Sequence, residues 1–417
     1  MKGHIPPLKA RDLLSAAAVR YAGERMLADA LDDRCEHWRI DLDRLNTVAD
    51  FVADTTREAY PTLAIPFHAR WRHFEAGSVD RWGETGKTRS WRDPLARARA
   101  AYDLVIVSVL LDAGSGGRWN FREPATGLVF SSSEGLGVAS FALVASGALS
   151  EDPSDPWRAD AARLSSFKED ALAAAFQVRE DNPLAGISGR AMLIRRLGEV
   201  ALARSELFAL ADRPRPGGLA DLIAARASEG AIRAADMLEI VLDALGPIWQ
   251  GRLLLDGVPL GDAWVYERWK PALSLRATPQ AIVPLHKLSQ WLTYSLIEPT
   301  RAMGIDVIEI DGLTGLAEYR NGGLFVDLGA LSLKTPELAA RPHEASSPLI
   351  VEWRALTVAL IDRLAPLVRA RLCVSIEALP LARLLEGGTW AAGRRIARML
   401  RPDGRPPIAI VSDGQTF

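Results

Sequence analysis

The sequence predicts a mainly α protein with a few short strands. Apolar side chains recur at three- and four-residue spacing along most of the chain, strand-like runs are few and short, and there is no internal repeat or low-complexity tract. The chain has 417 residues, 48% of them hydrophobic, with 12 Trp, a composition that excludes a disordered polymer. At roughly 100–200 residues per domain, this length fits two subdomains or one large domain.

Helical spacing runs over 8–30, 38–57 and 96–111. The stretch 112–135, DAGSGGRWNFREPATGLVFSSSEG, breaks it with glycines and serines and reads as a long ordered ligand loop between two helices. Helices follow at 157–178 and 189–210. The two prolines and two glycines of RPRPGGLADL (213–222) mark the boundary between a helical region at 1–212 and another at 213–417, packed together as one unit. The second region opens with helices at 219–228 and 230–245. A strand at 253–255 then leads into a DG turn. A helix over 284–298 starts at Pro284, which suits a first helical position. An extended piece at 306–311 precedes a helix in LTGLAEYRNGG (313–323) that Asn-Gly-Gly stops. Another helix covers 348–371, Thr389 caps a last one over 389–400, and 408–411 is strand-like.

Composition narrows function. Fifty basic residues against 52 acidic give a net charge of −2, which offers no electrostatic footprint for nucleic acid or an anionic membrane. The apolar runs 104–111 and 138–149 fall short of the ~20 residues a membrane helix needs. The N-terminal stretch carries charges throughout and lacks the apolar centre of a signal peptide, so a cytoplasmic location is expected. Cys35 and Cys373 can build neither a disulfide framework nor a thiolate cluster. There is no HExxH, CxxC, GxGxxG, Walker-type loop or GxSxG, so neither a metal nor an organic cofactor is expected. His68 and His73 are five apart, which matches no common ligand pattern; with the neighbouring arginines they read as ordering a loop around aromatic rings.

Three polar clusters stand out. On PLHKLSQWLTYSL (284–296), leucines form an apolar stripe while Lys287, Gln290 and Tyr294 share a second face, with Trp291 on the same helix. Only seven of the 50 basic residues are Lys, so one inside an ordered helix invites a question. In the second cluster Glu318, Tyr319 and Arg320 precede the glycine stop, which would set a carboxylate against the negative end of a helix. A local rule broken without local gain often marks a functional site. In the third, Glu352, Trp353 and Arg354 open a long helix, where an internal Glu352–Arg354 salt bridge is the plain alternative. The glycines of 112–119, and those before 389, free backbone N–H groups for an oxyanion. Ser133 and Glu134 read as a helix cap and first-turn acid.

RWRHFEAGSVDRW (70–82), SVLLDAGSGGRW (108–119), SSEGLGVASF (132–141), NPLAGISGR (182–190), HKLSQWLTYSL (286–296), LTGLAEYRNGGLFVDLG (313–329), EWRALTV (352–358), EGGTWAAGR (386–394) and the tail SDGQTF (412–417) resemble the uracil catabolism protein family of the URC pyrimidine-degradation pathway. The resemblance covers essentially the whole chain. It implies a step in a pathway that releases uracil nitrogen through a ribosylurea-type intermediate. The order and spacing of HKLSQWLTYSL, LAEYRNGG and EWRA is also similar to the queuosine-5′-phosphate N-glycosylase family. That second resemblance implies a helical DNA-glycosylase-like core and assigns Lys287 and Gln290 to a Lys-x-x-Gln helix. Glu318, Tyr319 and Arg320 match its acidic-Tyr-Arg motif, and Glu352, Arg354 and Ala355 its Glu-x-Arg-Ala helix. The acid is Glu here where that family has Asp.

The expectation is therefore a hydrolase that cleaves an N-ribosyl bond and releases urea or a ureido fragment from ribosylurea or its 5′-phosphate. Glu318 would stabilise the oxocarbenium-like sugar, and Lys287 or Asp112 would protonate the leaving group. Lys287 near Glu318 would keep that carboxylate ionised. Arg320 and Arg354 would clamp a phosphate, and Trp291 and Trp353 would wall the pocket alongside Gln290, Tyr294, Tyr319 and Glu352. The partner is a small ribosyl or ribosyl-phosphate substrate, with no nucleic acid or membrane; the oligomeric state is open. Two rivals remain: an amidohydrolase in which Asp112 and a His activate water on the ureido group, and a non-catalytic pathway protein that binds a nucleotide.

Overall fold

The computed structural model describes residues 9–209, 213–249, 252–271 and 277–411, so the tail SDGQTF lies outside the described residues. The protein is mainly α, with short strands in two-stranded sheets. The chain divides into two compact units. Unit one holds the described residues of 1–67, 251–290 and 310–411, and unit two those of 68–250 and 291–309. The division expected at 213 falls inside unit two, because elements distant in sequence pack together rather than in chain order.

In unit one the helix Pro348–Leu372 is the axis, with buried residues on nearly every side along its first half. Ser347 caps it by accepting from the N–H of Ile350, and Pro348 takes the first position, where its missing N–H costs nothing. Ala16–Leu31 and Leu45–Ala59 pack along this axis, and Tyr319–Asp327 packs on Ala391–Leu400. Strand Trp38–Ile40 pairs antiparallel with Leu331–Leu333. The expected DG turn is present: Leu254–Leu255 and Val258–Pro259 form a hairpin across Asp256 and Gly257, at φ +51° and +75°.

Two local expectations for this unit fail. Pro284 ends a strand, Ile282–Pro284, that pairs with Ala263–Val265, and the helix starts only at Lys287, after a left-handed His286 at φ +47°. A proline is tolerated in so short a sheet, where its missing N–H need not break an interior ladder. Thr389 caps nothing: it is buried inside a π-helical turn, Leu385–Trp390, that joins Leu381–Leu384 to Ala391–Leu400. The chain is continuously helical there, so no open helix N-terminus awaits an anion.

In unit two, Pro94–Leu110 is buried almost all round from Ala98 onward and packs on Ser132–Ala145 and Leu219–Arg226. Asp103 lies fully buried in this apolar helix, where it accepts from Arg215 and from the N–H groups of Ala159 and Gly217, so a buried charge is matched at every side. Burial nonetheless pushes its carboxyl above the ordinary value against the pull of Arg215. The stretch 112–135 is more than a loop, since Asn120–Arg122 and Val129–Ser131 form a hairpin inside it. The extended piece after 305 is Asp306–Ile308, parallel to Ala231–Arg233.

Candidate functional site

The expected site residues fall into both units: Lys287, Gln290, Glu318, Tyr319, Arg320, Glu352, Trp353 and Arg354 belong to unit one, and Asp112, Trp291 and Tyr294 to unit two.

Glu318 is the N-cap of Tyr319–Asp327, and that helix runs through Asn321-Gly322-Gly323 instead of stopping there. The helix end facing its carboxylate is thus the positive one, opposite to the sequence expectation. Its two oxygens accept the N–H groups of Arg320 at 2.7 Å and Asn321 at 2.6 Å, and the residue is 8% exposed. Two of the four acceptor directions of the carboxylate are thereby used, and the helix dipole favours the anion. Gly322 lies where the axis passes close by: a Cβ there would lie 2.8 Å from the Trp353 indole and from Thr357 Oγ1.

Arg354 explains how this cap is placed. Its Nη1 and Nη2 donate to Asp262 Oδ1 and Oδ2 at 2.8 and 2.7 Å, and its Nε donates to the carbonyl of Ala317 at 3.0 Å, one residue before Glu318. The same Asp262 Oδ2 accepts the backbone N–H of Lys287 at 3.0 Å, while Oδ1 accepts the indole N–H of Trp264 at 2.8 Å. One ion pair therefore anchors the backbone at both Lys287 and Ala317. Burial alone would raise the Asp262 carboxyl; the Arg354 guanidinium, by charge and by hydrogen bond, overrides it and holds the group well below the usual carboxylate range.

Gln290, fully buried, makes the second link between these segments. Its Oε1 accepts the N–H of Thr314 at 2.8 Å and its Nε2 donates to Thr314 Oγ1 at 2.7 Å, so the amide holds the strand of chain that leads to Glu318. Glu352, also fully buried, accepts the N–H groups of Glu36 at 2.8 Å and His37 at 2.9 Å and the hydroxyl of Tyr266. Neither Glu352 nor Arg354 uses the other as its partner in these bonds. Trp353 is core, stacked on Trp38 at 5.9 Å. Arg320 packs over the ring of Tyr319 at 5.0 Å and donates to the carbonyl of Gly404 at 2.6 Å.

Unit two has its own polar centre. Arg70, 0% exposed, donates from Nη1 to Asp112 Oδ1 at 2.8 Å, meets His73 Nδ1 at 2.9 Å, and donates from Nε to Ser108 Oγ at 2.6 Å. Burial draws this guanidinium below its ordinary value, against the charges of Asp112 and Glu134. Trp291 lies beside it, with ring contacts to His68 and His73 and the Arg70 guanidinium 5.7 Å above its face. Tyr294 is fully buried in the same unit. The loop that carries Asp112 is gripped by Arg190, which donates to the carbonyls of Leu111, Ala113, Gly114 and Ala185; burial brings that guanidinium down to about 10. Among the described residues, no group of three His, Cys, Asp or Glu side chains is placed to hold a metal ion. No described helix is long and apolar enough to cross a membrane.

A family model described as "Protein of unknown function (DUF1688)" matches residues 12–417. The chain belongs to this family. It is 39% identical over 414 residues to "Protein urg3" of Schizosaccharomyces pombe, covering 97% of this chain and 98% of that protein. It is 36% identical over 419 residues to "Uracil catabolism protein 4" of Lachancea kluyveri, covering 93% of each. The resemblance to uracil catabolism proteins read from the motifs is thus matched by relatives aligned over most of their length.

Sequence reasoning missed Asp262 and gave Arg70 no role of its own. Asp262 sits 92 positions from Arg354 in a turn-rich stretch, and nothing local distinguishes it from the aspartates that commonly punctuate turns. Arg70 left a fainter signal, as an arginine embedded among aromatic and His residues in PFHARWRHFE.

Proposed function

We propose that this protein acts in uracil catabolism as an N-ribosyl hydrolase that releases urea or a ureido fragment from a ribosylurea or its 5′-phosphate. The pathway part rests on the relative named for uracil catabolism, aligned over 93% of both chains. The reaction part rests on one observation: the Asp262–Arg354 pair ties the start of the Lys287 helix to the residue preceding Glu318.

Breaking a C1′–N bond leaves positive charge on the sugar and an electron pair on nitrogen. Glu318, at the positive end of its own helix, stabilises the cationic carbon and orients a water toward it. Lys287 gives a proton to the departing nitrogen and recovers one from the attacking water, so the catalyst is unchanged after a turnover. Urea is a poor leaving group as an anion, and such positioned proton transfer contributes ~10²–10⁴-fold. Arg354 and Gln290 act as positioning residues: their hydrogen-bonding groups hold backbone and neighbouring side chains.

Purified protein incubated with ribosylurea and its 5′-phosphate should release free urea and a reducing sugar. Absence of both products from either substrate removes this activity. Binding of a nucleotide without turnover, unaltered in Glu318→Gln, would favour the non-catalytic rival.

A further inference from the structure

Unit two contains a concave site that shares no residue with the Glu318 cluster. A cavity of about 300 Å³ is lined by five arginines, Arg89, Arg92, Arg99, Arg158 and Arg215, together with Trp91. Each arginine has an acidic partner: Asp155, Asp93, Asp221, Asp160 and Asp103 respectively. Of those five acids, only Asp155 is itself part of the lining. Guanidiniums therefore outnumber carboxylates on the wall by five to one, although each pair is neutral overall. A guanidinium has five N–H donors, so a carboxylate on one edge leaves others to serve a second anion.

The wall also has unmet demand. Arg89 Nε and Trp91 Nε1 are both buried N–H donors with no acceptor among the described residues. The two side chains are stacked, with the Arg89 guanidinium 4.7 Å from the Trp91 ring, so their orientations are fixed relative to each other. A buried donor without an acceptor is rare in a folded chain, and an anion that drew these two side chains toward the cavity would supply one. Tetrahedral oxyanions meet this need because they accept several bonds at once from planar donors.

We propose that this cavity binds a phosphate group, either as the free anion or as the monoester of a small molecule. Its volume exceeds what one phosphate requires, which leaves room for an attached sugar-sized body. All its residues lie in unit two, whereas Glu318 and Lys287 lie in unit one.

Isothermal titration of the full chain with inorganic phosphate and with ribose 5-phosphate tests this. Saturable binding is expected, weakening as salt rises. Arg89→Gln should weaken it at least tenfold. Trp91→Phe keeps the aromatic ring and deletes one donor, and should weaken it about three- to tenfold; it remains decisive if loss of the Arg89–Asp155 pair prevents folding. Glu318→Gln should leave the affinity unchanged. Tighter binding of ribose 5-phosphate than of phosphate, weakened by Trp91→Phe, identifies a monoester site in this cavity, and equal affinity identifies a site for the free anion. No saturable uptake of either probe, affinity untouched by Trp91→Phe, or binding lost in Glu318→Gln would each overturn the assignment.

Discussion

Arg354 grips Asp262 through two parallel bonds of 2.8 and 2.7 Å, and the backbone of a candidate catalytic segment hangs from each side of that grip. The Lys287 N–H lies on the carboxylate side and the Ala317 carbonyl on the guanidinium side. A planar fork against a planar carboxylate fixes orientation as well as distance, which one ammonium could not do.

Deleting one half of this pair should therefore cost both stability and activity. Asp262→Asn leaves a guanidinium buried without its counter-charge, and a loss of roughly 3–5 kcal/mol is expected. Guanidinium chloride unfolding followed by tryptophan fluorescence measures it. Arg354→Lys should fall short of full rescue, because it cannot hold Asp262 twice and still reach Ala317. A midpoint for Arg354→Lys equal to the unaltered protein would show that the pair does not set this geometry.

Glu318 has two separable duties, capping and chemistry. Asp is itself a strong N-cap, so Glu318→Asp should stay within about 1 kcal/mol of the parent in unfolding experiments. Its carboxylate is one methylene shorter, and urea release should drop by about tenfold or more. Glu318→Gln retains length and removes charge, and should lower turnover at least a hundredfold. Near-normal rates in both variants would leave Glu318 as a cap alone.

The depressed Asp262 carboxyl also sets a pH dependence. A carboxyl with a folded pKa below its unfolded value adds stability that is complete above the unfolded value of about 4, and this is lost as pH falls toward the folded value. The stability difference between the parent and Asp262→Asn should accordingly be flat from neutrality to about pH 5 and shrink on further acidification. A difference that grew on acidification would contradict the direction of the shift.

Gly322→Ala places a methyl 2.8 Å from both the Trp353 indole and Thr357 Oγ1. Overpacking of this kind costs about 1–3 kcal/mol. Thermal unfolding should report it, and an unchanged or raised melting temperature would mean that the two helices can separate without penalty.

How much of this was legible in the sequence depended on how far each partner lay along the chain. The helix expected over 348–371 was legible from the local spacing of its apolar side chains and ends one residue later, at Leu372. The hairpin at 254–259 was legible from Asp-Gly. Glu318 was placed at the wrong end of its helix because Asn-Gly-Gly normally stops a helix; here Gly322 is needed for the approach of Trp353, about thirty residues later. The role of Arg354 was equally hidden. Its charge suggested a ligand, and its actual partner comes from a stretch with no periodic pattern. Residue type and spacing located the polar cluster, but they could not assign which of its members hold backbone.

Arg190 changes what should be expected of the glycine-rich segment around Asp112. Four carbonyls, three of them from that segment, converge on one buried guanidinium. The backbone from Leu111 to Gly114 is thus held from the inside. Removal of that guanidinium, as in Arg190→Gln, should therefore open the backbone at 111–114 to proteolytic cleavage before the neighbouring helices unfold.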